Sequence, residues 1–481
     1  MTPNRDNSQL RVIIIGGAVS GLTLAHCLEK AGIDYVVLEK HRDITTNIGG
    51  SVALQPAGCR ILDQLGVLDH LRKNMNDIQA INVALPDGYT RRHAMFAQNL
   101  TGIGYPFSAL TRRNLLYALF TSLEGRSKVK VGVKVVRINR STASDGQLTV
   151  TTENGEHYTG DIVVGADGVH GITLQEMWRL AESPNWPAQT KDKSNMTVDY
   201  MCLFGITTPF KEITATMKPG EIYTRSYLHA FWTIIPNFDT NINWFVMIKL
   251  DRTYVHPNVP RWSQREVTAK LEELGDYPLY GQIRFRDLWQ KTPSLTPNFA
   301  QGANLCIETS AALANSLHRL TSRYTGNFTK PTDAEIRHAL SSYQDTIQPR
   351  IKGISAFSYR VSRIHSLENP LIAPLMIRYM IPIAARLAHY RNTMEYEGGM
   401  VLEYLPLPER DRLFASIRAI MLAEWRGFFQ NLQFRCGVLL LVLMLATNVF
   451  LFSGSIDAVV GRVPLVFRAG SGFWCLSQPI M

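Results

Sequence analysis

Four short stretches hold residues whose types and spacing suit chemistry on a phosphate-bearing, redox-active ligand. The first is GGAVSG, from Gly16 to Gly21, with Glu39 further on. In a dinucleotide site the first glycine makes a tight turn and a small middle residue admits pyrophosphate. The last glycine lets the following helix pack, so that its N-terminus faces the phosphates. Gly16 and Gly21 are in register for this, and Ala18 takes the middle place. Glu39 ends the next strand, where an acid accepts hydrogen bonds from ribose hydroxyls. The second stretch is SALTRRNLL, where Arg112 and Arg113 open a helix and a guanidinium can pair with pyrophosphate. The third is VVGADGVHG, with Asp167 and Gly168 at a strand end, the place where an open α/β sheet binds ligands. The fourth is PSLTPNFAQGANLCIETSAALAN. A helix starting near Gly302-Ala303 presents free N–H groups and a partial charge of about +0.5. That end suits the negative charge of a reduced flavin, and small residues let the ring come close.

Each stretch also has a plain structural reading. These are a tight turn, a solvated arginine, a D-G β-turn, and an Ala- and Leu-packed helix with Asn304 as its cap. Context favours nucleotide binding for the first. RVIII before the glycines reads as a strand, LTLAHCLEKAG after them as a helix, and YVVLEK as a second strand. This is a βαβ unit. A helix is expected at RILDQLGVLDHLRK and another over 107–123. KVKVGVKVVRI and QLTVTTENG read as a strand pair, and DIVVGADG as a buried strand. From about 182 the chain turns aromatic and strand-like, in MTVDYMCLFGI, YLHAFWTIIP and NINWFVMIKL. Helical patterning returns over 303–320 and 333–365.

Composition sets the bounds. The 481 residues carry a net charge of +10, with 46% hydrophobic and 19% charged residues. That is ample core for two or three domains. The mean hydropathy of -0.05 points to a local apolar concentration. Without a Lys/Arg run or a nucleic-acid motif, the basic balance argues for no nucleic acid, and for an anionic cofactor or membrane instead. The six cysteines form no C-x-x-C pair, so neither a disulfide framework nor a metal site is expected, and a reducing compartment follows. Nothing in the sequence speaks to oligomeric state. CGVLLLVLMLATNVFLFSG, residues 436–454, is nearly charge-free and long enough to span a bilayer. Arg426 and Arg435 before it would hold the catalytic body on the cytosolic side of a single-pass protein, with the endoplasmic reticulum as the expected membrane. The segment 371–389 reads as an interfacial or packed helix.

Together GGAVSGLTLAHCLEKAG, VVLEKH, TRRNLL, GADGVH, EMWRLAE, TPNFAQGAN and EYLPLPER make the chain resemble the FAD-dependent monooxygenases of the hydroxybenzoate-hydroxylase type. It is most similar to the fungal epoxidases of meroterpenoid and indole-diterpene pathways. The resemblance covers about residues 10–410. It implies FAD, NADPH and O2 as cofactors and co-substrate, and hydroxylation of an aromatic ring or epoxidation of an alkene as the reaction. In the nearer relatives the target is the terminal double bond of a farnesyl or geranylgeranyl chain, so a small prenylated substrate is expected. By position, Glu39 matches the ribose ligand, Arg112 a flavin-contacting arginine, and Ala303 the helix start beneath the flavin ring. Ala53 stands where the family commonly has glycine. EIYTRSYLHAFW puts Tyr223 near the expected catalytic tyrosine, with Tyr227 the neighbouring candidate and sheet packing the alternative role for both.

The resemblance also implies a fold and its departures. The fold expected is α/β. A Rossmann-like FAD-binding domain of the glutathione-reductase type occupies 1–181 and 286–365, around a sheet-rich substrate domain at 182–285. A C-terminal helical region at 366–435 and a transmembrane helix at 436–454 follow. The family places a Gly-Asp pair, which binds the ribityl hydroxyls, at a strand end before the TPN loop. Here Trp289 and Gln290 occupy that place and DLWQKT lacks strand character. After GADGVH the chain has no basic residue until Arg179. Two alternatives to prenyl epoxidation follow: aromatic hydroxylation, or a homologue impaired by the missing pair.

Overall fold

The computed structural model describes residues 9–45, 50–140, 147–182, 197–210, 212–213, 216–255, 258–293, 302–324 and 330–411, with the backbone of 296–297. An apolar strand, β1 (Arg11–Ile15), turns at Gly16 into α1 (Val19–Lys30) and returns as β2 (Asp34–Glu39). There follow β3 (Ser51–Leu54), α2 (Pro56–Gln64), α3 (Leu68–Leu71), β4 (Asn76–Ile78), β5 (Ala80–Ala84) and β6 (Thr90–His93). Next are α4 (Asn99–Ile103), β7 (Phe107–Thr111) and α5 (Arg112–Ser122). The first half closes with β8 (Val129–Val131), β9 (Val135–Arg140), β10 (Leu148–Thr152), β11 (His157–Gly160), β12 (Ile162–Gly165) and α6 (Ile172–Ala181).

The second half is built from β13 (Thr197–Ile206), β14 (Glu221–Tyr227), β15 (Ala230–Pro236), β16 (Ile242–Val255), α7 (Gln264–Leu274), α8 (Phe285–Trp289) and β17 (Thr296–Pro297). Then come α9 (Ala303–Thr321), α10 (Asp333–His365), α11 (Ile372–Leu375), α12 (Ile381–Arg386) and α13 (Ala388–Glu397), with one π-helical stretch between α11 and α12. Two predicted helices are shorter than their patterns. RILDQLGVLDHLRK breaks because Gly66 takes φ +74. The helix over 107–123 begins only at Arg112, because Thr111 is extended and its hydroxyl accepts from Asn114 N–H at 3.2 Å. Phe107–Thr111 instead pairs with β3 and β4.

The parallel sheet has the order β12-β1-β2-β8. Both faces are covered, which is why its strands read as unbroken apolar runs. Val12, Ile14, Val37, Ile162 and Val164 face α1, α5 and α9, whereas Ile13, Val36, Leu38 and Val163 face α6 and the β9–β11 meander. Val12, Ile13 and Ile14 are each 0% exposed. Burial of such side chains stabilises by ~1.5–3 kcal/mol each. Among the described residues no strand lies beyond β12. The chain instead passes from α8 to β17, which pairs with β13, and on to α9.

A larger sheet, β17-β13-β16-β15-β14-β5-β6, stands over this unit. Its rear face carries Leu203, Trp232, Trp244 and Val246 against α7 and α8. Its front face turns toward the parallel unit. There Ile222 and Ile235 meet Ile78 and Ala109 of the small sheet β3-β7-β4, and Cys202, Phe231 and Met247 meet Tyr359 of α10.

The α/β class and nucleotide-binding architecture therefore match the sequence. The expectation of a membrane helix is corrected: among the described residues no helix is long and apolar enough to cross a membrane. A single-pass localisation is not supported for the same reason. The segment 436–454 lies outside the described residues. The apolar stretch 371–389 folds as α11, the π-helical stretch, α12 and the start of α13. Ala373 and Ile377 pack beside Val83 and Leu85.

Candidate functional site

The site is built at the carboxyl ends of the parallel strands. Gly16 takes φ +106, and a Cβ there would lie 2.4 Å from the Ala166 carbonyl oxygen. A Cβ on Gly21 would lie 1.9 Å from the Gly16 carbonyl oxygen. Any side chain at either position would force β1, α1 and the end of β12 apart. Glu39 is buried, and its carboxylate accepts from Gly17 N–H at 2.6 Å and His41 N–H at 2.8 Å. Those bonds fix the carboxylate beside the glycine turn, and each oxygen keeps a lone pair for a ribose hydroxyl.

Asp167 follows β12 and belongs to the same crevice. Its Oδ2 accepts from Thr173 N–H and the Thr173 hydroxyl, both at 3.0 Å. Its Oδ1 is buried without a hydrogen-bond partner. Burial raises the Asp167 pKa, with the Thr173 bonds opposing that shift. Gly168 takes φ +82, as a tight turn requires. After this turn the first lysine or arginine is Arg179, as the sequence reads. Arg179 is engaged elsewhere, donating to Glu176 at 2.8 Å and to the Ile138 carbonyl at 2.7 Å.

Arg112 opens α5, and its backbone N–H donates to the Gly50 carbonyl at 2.9 Å. Its guanidinium is partly buried. Burial lowers its pKa, while the charges of Glu39 and Cys306 raise it. It thus stands between the end of β2 and the first turn of α9. Ala303 is the first residue of α9, as expected, and Gly302 precedes it without a side-chain cap. Asn304 is not that cap. It donates to the Ala53 carbonyl at 2.6 Å and accepts from Gln55 N–H at 2.9 Å, joining α9 to β3 across the cleft. Gly58 leaves room for it, since a Cβ there would lie 2.7 Å from Asn304 Oδ1. Sequence reasoning missed this role. An amide at a small-residue helix start was the available signal, but its partner lies 251 residues away.

The structure therefore brings Gly16, Gly21, Glu39, Ala53, Arg112, Asp167, Gly168 and Ala303 to one crevice. Tyr223 and Tyr227 stand apart from it, on the rear face of the larger sheet. Tyr223 OH accepts from Lys218 N–H at 2.7 Å, donates to Glu221 at 3.2 Å, and its ring meets Tyr280 edge-on. Tyr227 OH donates to the Pro278 carbonyl at 2.6 Å, and its ring packs on Trp232 and Tyr277. Trp289 likewise packs against the rear core, with Gln290 capping α8. Among the described residues of that segment no carboxylate reaches the crevice, Asp287 being engaged by Arg284 N–H at 2.8 Å.

The crevice fits FAD. The glycine turn admits a pyrophosphate, Glu39 is set for ribose, and Asp167 Oδ1 is a buried acceptor awaiting a donor. Comparison with known proteins agrees. Residues 9–307 match the family model described as an FAD binding domain. The FAD-dependent monooxygenase esdpE of Penicillium shearii is 34% identical over 469 residues, covering 91% of this chain and 93% of that protein. The FAD-dependent monooxygenase ctvC of Aspergillus terreus is 32% identical, covering 90% of this chain and 96% of its own length. Among solved structures, Klebsiella pneumoniae HpxO complexed with FAD and uric acid has the same fold. Its TM-score is 0.60 at 15% identity, covering 81% of this chain and 97% of that one. With a dinucleotide crevice in place and this likeness along nearly the whole chain, the protein belongs to the FAD-dependent monooxygenases.

Proposed function

We propose that the enzyme uses NADPH and O2 to epoxidise the terminal double bond of a farnesyl or geranylgeranyl chain on a meroterpenoid or related intermediate of secondary metabolism. The observation that carries the reading is the front face of the larger sheet. It carries Phe204, Phe245, Phe231 and Met247, with Phe245 partly exposed, and Phe204 lies against Gly50 beside the cofactor crevice. An apolar chain is the ligand such a surface takes.

Gly16–Gly21, Glu39, Arg112, Asp167, Gly168 and the start of α9 at Ala303 would hold FAD. When bound, FAD supplies hydride acceptance and oxygen activation. In the overall balance NADPH gives a hydride, one oxygen atom enters the alkene, and the other leaves as water after taking up protons. The residues of this chain bind and orient. The aromatic face excludes water, and Phe204 sets the chain end beside the crevice. Arg112 and the N-terminus of α9 place positive potential where the cofactor carries negative charge. In this reading Tyr223 and Tyr227 act from the rear, locking β14 in register beneath the substrate.

The test uses the full chain with FAD, a farnesylated phenol, NADPH and isotopically labelled O2. The expected product carries one labelled oxygen on the terminal prenyl carbons. Label in the aromatic ring would establish the hydroxylase alternative. Protein that stays colourless after incubation with FAD would refute the enzyme reading.

A further inference from the structure

One row across the front face differs from its neighbours. In cross-strand register it runs Phe204 of β13, Phe245 of β16, Thr233 of β15 and Thr224 of β14. Phe204 begins it, with its ring 2.5 Å from where a Gly50 Cβ would stand and 6.0 Å from the Phe245 centroid. Phe245 and Thr233 are partly exposed, although β16 and β15 lie in the middle of the sheet. An antiparallel sheet can leave one face to solvent, and here the front face is left partly uncovered at these two positions. The stacked pair Phe96 and Phe107, with centroids 4.4 Å apart, packs against the same apolar cluster as Phe245.

The other end of the row is polar without partners. Thr224 is 6% exposed, and among the described residues neither its hydroxyl nor that of Thr233 makes a hydrogen bond. The hydroxyl in the adjacent row is engaged, since Ser226 Oγ lies 3.2 Å from His365 Nδ1. A hydroxyl on a largely apolar face can exchange its water for a ligand oxygen, keeping a hydrogen bond while the ligand's apolar part is buried. Two cations on this side are already paired with carboxylates. Lys249 pairs with Glu368 at 3.3 Å and Asp199 at 3.5 Å, and Arg363 pairs with Glu368 at 2.9 Å.

Resting on the proposed function, we propose that Thr224 and Thr233 form the polar subsite that holds the oxygen-bearing group of the substrate. The group they take is an uncharged hydroxyl or carbonyl, not a carboxylate or phosphate. At a strand spacing of ~4.8 Å, the subsite lies ~10–14 Å along the row from Phe204. The row therefore measures the substrate: polar group at the threonines, reacting chain end at the crevice.

The experiment uses the FAD-loaded full chain, with Thr233→Val and Thr224→Val singly and together. Valine keeps the β-branched shape and removes only the hydroxyl. The probes are a farnesylated phenol and the matching farnesylated benzene, which lacks the oxygen. Binding is read from the change each causes in the visible spectrum of the bound flavin. The double variant should weaken the phenol about tenfold, the worth of one lost hydrogen bond, with the benzene little affected. In turnover the loss should fall on KM. Thr233→Ser, which retains the hydroxyl, should keep the preference for the phenol. Equal weakening of both probes, or of neither, overturns the subsite while leaving the substrate class standing. Wild-type enzyme that binds neither probe overturns the proposed function itself.

Discussion

Replacing Asn304 with alanine removes the amide that ties α9 to β3. Two hydrogen bonds go, at 2.6 and 2.9 Å, and the Ala53 carbonyl and Gln55 N–H lose their partner. Each bond is worth ~1 kcal/mol net, and a partly buried group left unpaired adds ~1 kcal/mol or more, so the loss should be ~2–4 kcal/mol. The structure supplies a second route to the same contact. In Gly58→Ala the new Cβ would stand 2.7 Å from Asn304 Oδ1, so the amide must shift and its bonds break. Without the amide, the next nearest atom to that Cβ is Ile307 Cδ1 at 3.7 Å, ordinary contact. Gly58→Ala should therefore destabilise the wild type yet be neutral in the Asn304→Ala background, where alanine gains up to ~1 kcal/mol of helix propensity. The assay is a double-mutant cycle in urea unfolding, followed by far-UV circular dichroism. A coupling of ~2 kcal/mol is expected. Additivity within ~0.5 kcal/mol would refute the claim that Gly58 exists to admit this amide.

Three further outcomes are expected. Arg112→Ala should raise the Kd for FAD about tenfold or more, the worth of a charge-assisted hydrogen bond, read from the flavin-to-protein absorbance ratio after gel filtration. An unchanged ratio removes Arg112 from the site. Arg350→Ala strands Glu308, which is 1% exposed and accepts from Arg350 Nη2 at 2.9 Å. An uncompensated buried carboxylate costs ~3–5 kcal/mol, so thermal unfolding should shift sharply, and less so if Glu308→Gln is added. Burial holds the His365 pKa down to about 4, against an ordinary 6.5. The unfolded chain therefore takes up this proton first. The stability tied to neutral His365, about 3 kcal/mol, is present above pH 6.5 and lost as pH falls toward 4. His365→Leu should flatten that part of the pH–stability curve, and an identical slope would show that other groups set it.

Much of the crevice could be read locally. Gly16, Gly21 and Glu39 are spaced by a βαβ unit whose period and turn chemistry are set by near neighbours in the chain. The first residue of α9 could be located because a Gly-Ala start before an apolar helical repeat is a short-range signal. Phe107–Thr111 was misread because its apolar spacing suits either element. Only pairing with β3 and β4 on both edges makes it a strand.

Which face of β14 turns toward the parallel unit was beyond the sequence for a different reason. A strand alternates its side chains with period two, but both faces of β14 mix apolar with polar side chains, so alternation carries no label for front or rear. Tyr223 and Tyr227 share one face by that period. Packing against α7 and α8 makes it the rear, and Thr224, one residue from Tyr223, is turned to the front. The partners of Asn304 were hidden by distance along the chain. The parallel sheet's ending at β12 agrees with the absence of a strand in DLWQKT. What takes that segment away, its packing as α8 under Trp244 and Trp232, is a property of the folded rear core. Short-range periodicity and turn chemistry wrote the nucleotide half of this protein into its sequence. Tertiary packing alone chose which face of the larger sheet turns toward the parallel unit, because two faces of mixed polarity differ only in what is brought against them.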